Sequence, residues 1–141
     1  GVIAPLLAEY PASLFIANRS AGKAEALAAS FADVAAVNAG NFAKTEGMSF
    51  DLVINATSAS LSGESLPLPP GVFAEGSLAY DMMYGKGETP FLTLAREQAA
   101  ASLADGLGML VEQAAEAFFV WRGVRPTTAR VLADLRAKLV A

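Results

Sequence analysis

Ser77-Leu78-Ala79-Tyr80-Asp81-Met82-Met83-Tyr84-Gly85-Lys86-Gly87-Glu88-Thr89-Pro90-Phe91-Leu92 holds a strand, its break and a helix start in immediate succession. Ser77 to Asp81 reads as a strand that ends in acidic and aromatic residues. Gly85 and Gly87 then interrupt it. Thr89 is a natural N-cap, and Pro90 suits the first helical position because its missing N–H would have no partner there anyway. A strand that hands over to a helix in this way is the repeating unit of open α/β sheets, whose sites form at the carboxyl ends of the strands.

The same alternation extends in both directions. Upstream, Asp51-Leu52-Val53-Ile54-Asn55 is an apolar strand of the kind covered on both faces, and a loop rich in Ser, Gly and Pro follows from Ala56 to Gly71. Ser13 to Ala17 forms an earlier strand. Ser20 then caps a helix through Phe31, with Ala24, Leu27, Ala28 and Phe31 at helical spacing. Val34 to Val37 reads as a short strand. Downstream, a helix runs from Gly106 to Trp121 with Leu107, Leu110, Val111, Ala114, Ala117, Phe118 and Trp121 along one stripe. Gly123 and Pro126 end it, and a last amphipathic helix carries Val131, Leu132, Leu135 and Leu139. The prediction is an α/β fold: a Rossmann-like, doubly wound, mostly parallel sheet with C-terminal helices.

The opening does not follow that pattern. A dinucleotide-binding unit begins with a strand, a glycine-rich turn and then a helix. Here Gly1 leads directly into a helical stretch, Val2 to Glu9, which reads either as the first helix of such a unit or as a short amphipathic leader. On the first reading, residues 1–141 are a partial, N-terminally truncated nucleotide-binding domain. Its first strand and all of the turn but a last glycine would lie ahead of Gly1.

Composition narrows the chemistry. The chain has 141 residues, 54% of them hydrophobic, enough for a real core. A net charge of −4 gives no basic footprint for nucleic acid or an anionic membrane. There is no cysteine and no histidine, so the residues predict no disulfide, no thiol nucleophile, no histidine base and no metal site. Glu112, Glu116 and Arg122 interrupt the most apolar long stretch, which argues against a membrane span. The start lacks a charged leader, and the composition is compatible with the cytoplasm.

Three clusters can carry a function. Asn18-Arg19-Ser20 follows the first strand, with Lys23 one turn beyond Arg19. An acidic residue at this strand end would favour the ribose hydroxyls of NAD. A guanidinium fork, a hydroxyl, an amide and a second cation instead suit the 2′-phosphate of NADP. A strand-end turn with a solvated arginine accounts for the same residues. Asn55-Ala56-Thr57-Ser58 follows the third strand, where small residues admit a cofactor and hydroxyls can donate to it; ordinary turn chemistry favours the same residue types. Gly106, Met109 and Gln113 are spaced by three and four and share a helix face. Gln113 has donors and an acceptor for a polyol or carboxylate, although a lone helix Gln is also commonly just exposed. Asp81 reads as structural, Lys86 as solvated, and Glu112 and Glu116 as a solvated edge.

Taken together, the Asp81-Met82-Met83-Tyr84 and Asp105-Gly106-Leu107-Gly108-Met109-Leu110-Val111 segments closely resemble the C-terminal half of the shikimate dehydrogenases, from Val2 to about Leu139. That family carries Asn-Arg-Thr at the position of Asn18-Arg19-Ser20, and the serine lacks one methyl group. Lys23 stands where arginine is common, which keeps a cation but not a fork. The resemblance implies an NADP-dependent oxidoreductase of aromatic amino-acid biosynthesis that interconverts 3-dehydroshikimate and shikimate in the cytoplasm. It implies cofactor contacts at Asn18, Arg19, Ser20, Lys23, Asn55, Ala56, Thr57, Ser58, Met82, Gly106 and Met109. It implies substrate contacts at Tyr84 and Gln113, and a possible homodimer. No catalytic residue is implied here, because the family's proton-transferring lysine and aspartate belong to the N-terminal domain. A quinate-using relative and a non-catalytic NADP-binding module remain open. A glutamyl-tRNA reductase also places an Asn-Arg pair at the adenosine phosphate, but it lacks the Gln113 helix motif.

Overall fold

The computed structural model describes residues 2–59 and 63–140. Gly1, the expected last glycine of the turn, and residues 60–62 of the expected loop lie outside the described residues. The chain forms two compact units, Gly1–Met48 with Pro67–Val72, and Ser49–Leu66 with Phe73–Ala141.

The first unit is a small βαβ element behind a short helix. Helix α1 (Ile3–Ala8) is capped at Glu9, and the next residue, Tyr10, turns the chain away with a φ of 51°. Strand β1 (Phe15–Ala17) pairs in parallel with β2 (Asn38–Gly40), Phe15 opposite Asn38 and Ala17 opposite Gly40. Helix α2 (Ala21–Ala29) makes the crossover that a parallel pair requires. It buries Ala24 and Ala28, one turn apart and small enough for close approach, but Leu27 is 44% exposed and Phe31 lies beyond the helix. The inward face is therefore the Ala24–Ala28 edge, narrower than the expected four-residue face. Ser20 occupies the N-cap position but makes no side-chain capping bond.

The predicted strand at Val34–Val37 does not form. The N–H groups of Val34 and Ala35 both donate to the Phe31 carbonyl, closing turns that remove them from any ladder. Pairing starts at Asn38, where the N–H donates to Leu14 O at 2.9 Å. A 3₁₀ turn (Phe42–Thr45) follows, capped by the Asn41 side chain, which accepts from the Lys44 N–H.

The second unit is a three-stranded parallel sheet in the order β3-β4-β5, with helices attached. Its strands are β3 (Phe50–Asn55), β4 (Phe73–Asp81) and β5 (Ser102–Asp105). Along β4, Phe73, Ser77, Ala79 and Asp81 are buried, the alternation expected of a central strand. The β3–β4 register shifts between Phe50 and Leu52, where Gly76 takes up a φ of 78° in the longer strand. The sequence pattern missed β5. Its four residues include no β-branched side chain, and their strand character comes from pairing with Leu78–Asp81.

Helix α3 (Pro90–Glu97) starts as expected, with the Thr89 hydroxyl accepting the Leu92 N–H at 3.3 Å. It buries Phe91, Leu92 and Ala95, and the Phe91 ring lies 6.2 Å from that of Phe73. Helix α4 (Leu107–Arg122) ends at Gly123, which has a φ of 69° and donates its N–H to Phe119 O. Its buried edge is Leu107, Val111 and Ala115, whereas Leu110, Ala114, Phe118 and Trp121 of the expected stripe are exposed. The stripe holds at the start of α4 and rotates into solvent along its second half. Helix α5 (Ala129–Val140) keeps Leu132, Leu135 and Leu139 partly covered, while Val131 is exposed. No helix of the described residues is long and apolar enough to cross a membrane.

Candidate functional site

In the first unit the site residues gather where β1 turns into α2. The Asn18 N–H donates to Gly40 O, and its side-chain oxygen accepts the Ser20 N–H at 3.0 Å, so Asn18 shapes the turn. Lys23 donates its backbone N–H to Ser20 O. Arg19, Ser20 and Lys23 are all exposed. Neither cation has an ion-pair partner among the described residues, in contrast to Lys44, which sits 3.6 Å from Glu25. The corner thus presents a guanidinium, an ammonium and a hydroxyl beside a helix N-terminus, a donor set suited to a phosphate.

In the second unit the site residues follow the carboxyl ends of the strands, and the register explains why. Asn55 pairs with Asp81, and Asp81 with Asp105, so all three strands end on the same rung. The segments Ala56–Ser58, Met82–Tyr84 and Gly106–Met109 leave the sheet side by side. Met82 extends the ladder by donating its N–H to Asn55 O at 3.0 Å.

The Asp81 side chain is completely buried and joins these segments. Its Oδ1 accepts the Asn55 Nδ2 at 3.1 Å and the Met83 N–H at 3.0 Å, and its Oδ2 accepts the Thr89 hydroxyl at 2.6 Å. The structural reading of Asp81 therefore holds. Asn55 differs from expectation. Its side chain is 1% exposed, and its Oδ1 accepts both the backbone N–H and the hydroxyl of Thr57. A buried amide engaged in this way shapes the turn. Thr57 is half-buried, while Ala56 and Ser58 are exposed.

Gly106 is buried against the loop from β4. A Cβ there would stand 2.0 Å from the Met82 carbonyl oxygen and 2.6 Å from its carbon. The Gly106 N–H donates to Met83 O at 3.1 Å. Only a residue without a side chain lets the Met82–Met83 peptide rest on the start of α4. From that start Met109 is half-buried and Gln113 exposed, and Tyr84 is 40% exposed beyond β4. Lys86, Glu112 and Glu116 are exposed, and Glu116 pairs with Arg125, whose guanidinium lies 4.8 Å above the Phe119 ring.

Asp105 has a structural role that the sequence did not reveal. Its carboxylate takes both terminal nitrogens of Arg136 on α5, one to Oδ1 at 2.8 Å and the other to Oδ2, and accepts the Leu107 N–H at 3.2 Å. The Arg136 hydrogen bonds hold the Asp105 carboxyl below the usual carboxylate range, against the opposing effect of partial burial. Burial, and then the Asp105 charge, raise the neighbouring Tyr80 phenol. Among the described residues no acidic cluster assembles a metal site.

Residues 106–136 match the family model described as "Shikimate 5'-dehydrogenase C-terminal domain". The chain is 82% identical over its whole length to a protein of Dechloromonas aromatica named "Shikimate dehydrogenase (NADP(+))", covering 52% of that protein. Its fold matches the crystal structure of an Ael1 enzyme from Pseudomonas putida with a TM-score of 0.87 and 54% identity, over 94% of this chain and 49% of that one. It matches shikimate 5-dehydrogenase from Thermus thermophilus, solved with NADP(H) and shikimate, with a TM-score of 0.74 and 30% identity, over 93% and 48%. These neighbours identify the parallel strands and crossover helices as a Rossmann-like fold. The chain spans about half the length of the curated relatives it matches. By motif, sequence and fold, it belongs to the shikimate dehydrogenase family, as that family's C-terminal half.

Proposed function

We propose that this chain is the cofactor-binding part of an NADP-dependent shikimate dehydrogenase and supplies one wall of the substrate site. The observation that carries the reading is the common rung of Asn55, Asp81 and Asp105, which brings the three family segments out of the sheet together. The 82% identity to a protein named for that activity supports it. NADPH, when bound, supplies the hydride that converts the ketone of 3-dehydroshikimate to the alcohol of shikimate. Arg19, Ser20 and Lys23, on the turn shaped by Asn18, hold the 2′-phosphate, where an unpaired fork and ammonium outweigh a neutral ribose contact. Ala56, Thr57 and Ser58, with Asn55 behind them, line the cofactor path. Met82, Gly106 and Met109 pack beside the nicotinamide. Tyr84 and Gln113 hydrogen-bond the substrate.

No residue of this chain takes the proton-transfer step. That step falls to the N-terminal half that the relatives possess, so this chain's contribution is binding and orientation. The reading places the protein in the cytoplasm, in aromatic amino-acid biosynthesis.

The test is a full-length protein joining this chain to the N-terminal half of its relatives, assayed by absorbance of the reduced cofactor. NADPH consumption that requires 3-dehydroshikimate, with poor use of NADH and of quinate in the reverse direction, supports the reading. Tight NADP binding without turnover of either substrate would favour a non-catalytic binding module instead.

A further inference from the structure

The buried Asp81 network dictates which way hydrogen-bond donors point on the exposed side of the site. A carboxylate accepts and cannot donate, so the Asn55 amide must turn its Nδ2 toward Asp81 Oδ1, 3.1 Å away. That orientation leaves Asn55 Oδ1 facing Thr57, where it accepts the backbone N–H at 3.0 Å. The Thr57 hydroxyl lies 2.8 Å from the same oxygen, and two oxygens at that distance must share a proton, so the hydroxyl donates to Asn55. Its oxygen also accepts the Ala59 N–H at 3.3 Å. The Thr57 proton is therefore committed inward, and what the hydroxyl offers outward is a lone pair. For Thr57 this runs against the expectation that hydroxyls after the third strand donate to the cofactor.

We propose that Asp81 is a positioning residue which, through Asn55, sets Thr57 as a hydrogen-bond acceptor, so that the cofactor group met there is a donor, a ribose hydroxyl or carboxamide N–H, and not a phosphate oxygen. The proposal rests on the NADP reading above. A phosphate oxygen against that lone pair would place two acceptors face to face, which is repulsive. A hydroxyl or amide N–H completes the last open valence of the threonine. The same carboxylate holds the Met83 N–H and the Thr89 cap, so one buried charge keeps the turn after β3 and the loop after β4 in mutual position.

The experiment uses the full-length protein, with NADP and with analogues that each lack one donor: an acetylpyridine in place of the carboxamide, or a deoxyribose on the nicotinamide side. Thr57→Val should weaken NADP binding about three- to tenfold, the usual value of one neutral hydrogen bond, and Thr57→Ser should not. One analogue should bind wild type and Thr57→Val equally, which identifies the donor. Asp81→Ala should weaken NADP binding and abolish the additional effect of Thr57→Val in the double variant, with folding checked by thermal melting. Equal loss across every analogue, no loss at all in Thr57→Val, or additive effects of the two substitutions would each overturn the proposal. Because the Thr57 arm uses a surface turn, it decides the question even if Asp81→Ala does not fold. Failure of the wild type to bind NADP would instead sink the cofactor reading and leave this result distinct from it.

Discussion

Replacing Gly106 by alanine adds a single methyl group at the most crowded point of the site. The backbone there has φ −73° and ψ −3°, which alanine adopts without strain, so any cost is steric. The new Cβ would stand 2.0 Å from Met82 O, 2.6 Å from Met82 C and 3.3 Å from Met82 Cα. Carbon contacts are comfortable at about 3.5 Å or more, so the Met82–Met83 peptide must withdraw by roughly 1 to 1.5 Å. The atoms in the way are backbone and cannot swing aside as a side-chain tip would. Overpacking of this kind costs about 1–3 kcal/mol. Loss of the Gly106 N–H bond to Met83 O adds about 1 kcal/mol. Removing a glycine from the unfolded chain returns about 0.4–1 kcal/mol. The net expectation is a destabilisation of about 2–3 kcal/mol, accompanied by weaker NADP binding because Met82 rides on the displaced loop. Gly108→Ala is the matched control, since a Cβ there meets nothing within 4 Å and alanine favours the helix. Thermal melting of both variants in the full-length protein checks the prediction. A Gly106→Ala protein as stable as Gly108→Ala would show that the loop yields freely, and the steric reasoning would be wrong.

Arg19→Ala should cost about 1–3 kcal/mol of NADP affinity, the range for a hydrogen bond to a charged group, and little for NAD. Equal losses for both cofactors in a titration would mean that Arg19 does not read the 2′-phosphate. Gln113→Ala should raise the KM for shikimate while leaving the Kd for NADP nearly unchanged; the opposite pattern would remove Gln113 from the substrate wall. Arg136→Ala should lower stability near neutral pH by about 1 kcal/mol, the upper end for partly exposed pairs, because the contact is two-pronged. The Asp105 carboxyl is depressed in the folded protein, so this stabilisation is complete above the unfolded carboxylate value of about 3.9 and fades as pH falls through the folded one. Melting curves of the two proteins should converge in acid, and a gap that widens there would contradict the pairing.

What could be read from the sequence divides along the reach of the interactions. The start of α3 was legible because Thr89 and Pro90 act within one turn. The turns at Asn18, Asn55 and Met82 were legible as segments that follow strands, and Gly106 as the start of a helix. Strand β2 was misplaced because Val34–Val37 has the apolar look of a strand, while the actual pairing residues, Asn38-Ala39-Gly40, are poor strand formers held by register with Phe15–Ala17. Strand β5 went unseen for the same reason. The Asp105–Arg136 pair spans 31 positions and leaves no local trace. Asp81 announced itself as structural, but its contact with Asn55, and through it with Thr57, joins positions 26 apart and leaves no local trace. On α4, periodicity alone gave too wide a stripe, because the helix buries only the edge at Leu107, Val111 and Ala115.

The shared stopping point of β3, β4 and β5 also sorts the mutations this domain can absorb. A residue gained or lost within a strand, ahead of the rung, would turn Asp81 or Asn55 to the opposite face and dismantle their contacts together. A residue gained or lost beyond the rung only reshapes a loop. Length variation among descendants of this domain should therefore accumulate at the exit loops, the surface proposed to meet the ligand. Substrate range can then drift while the sheet stays intact.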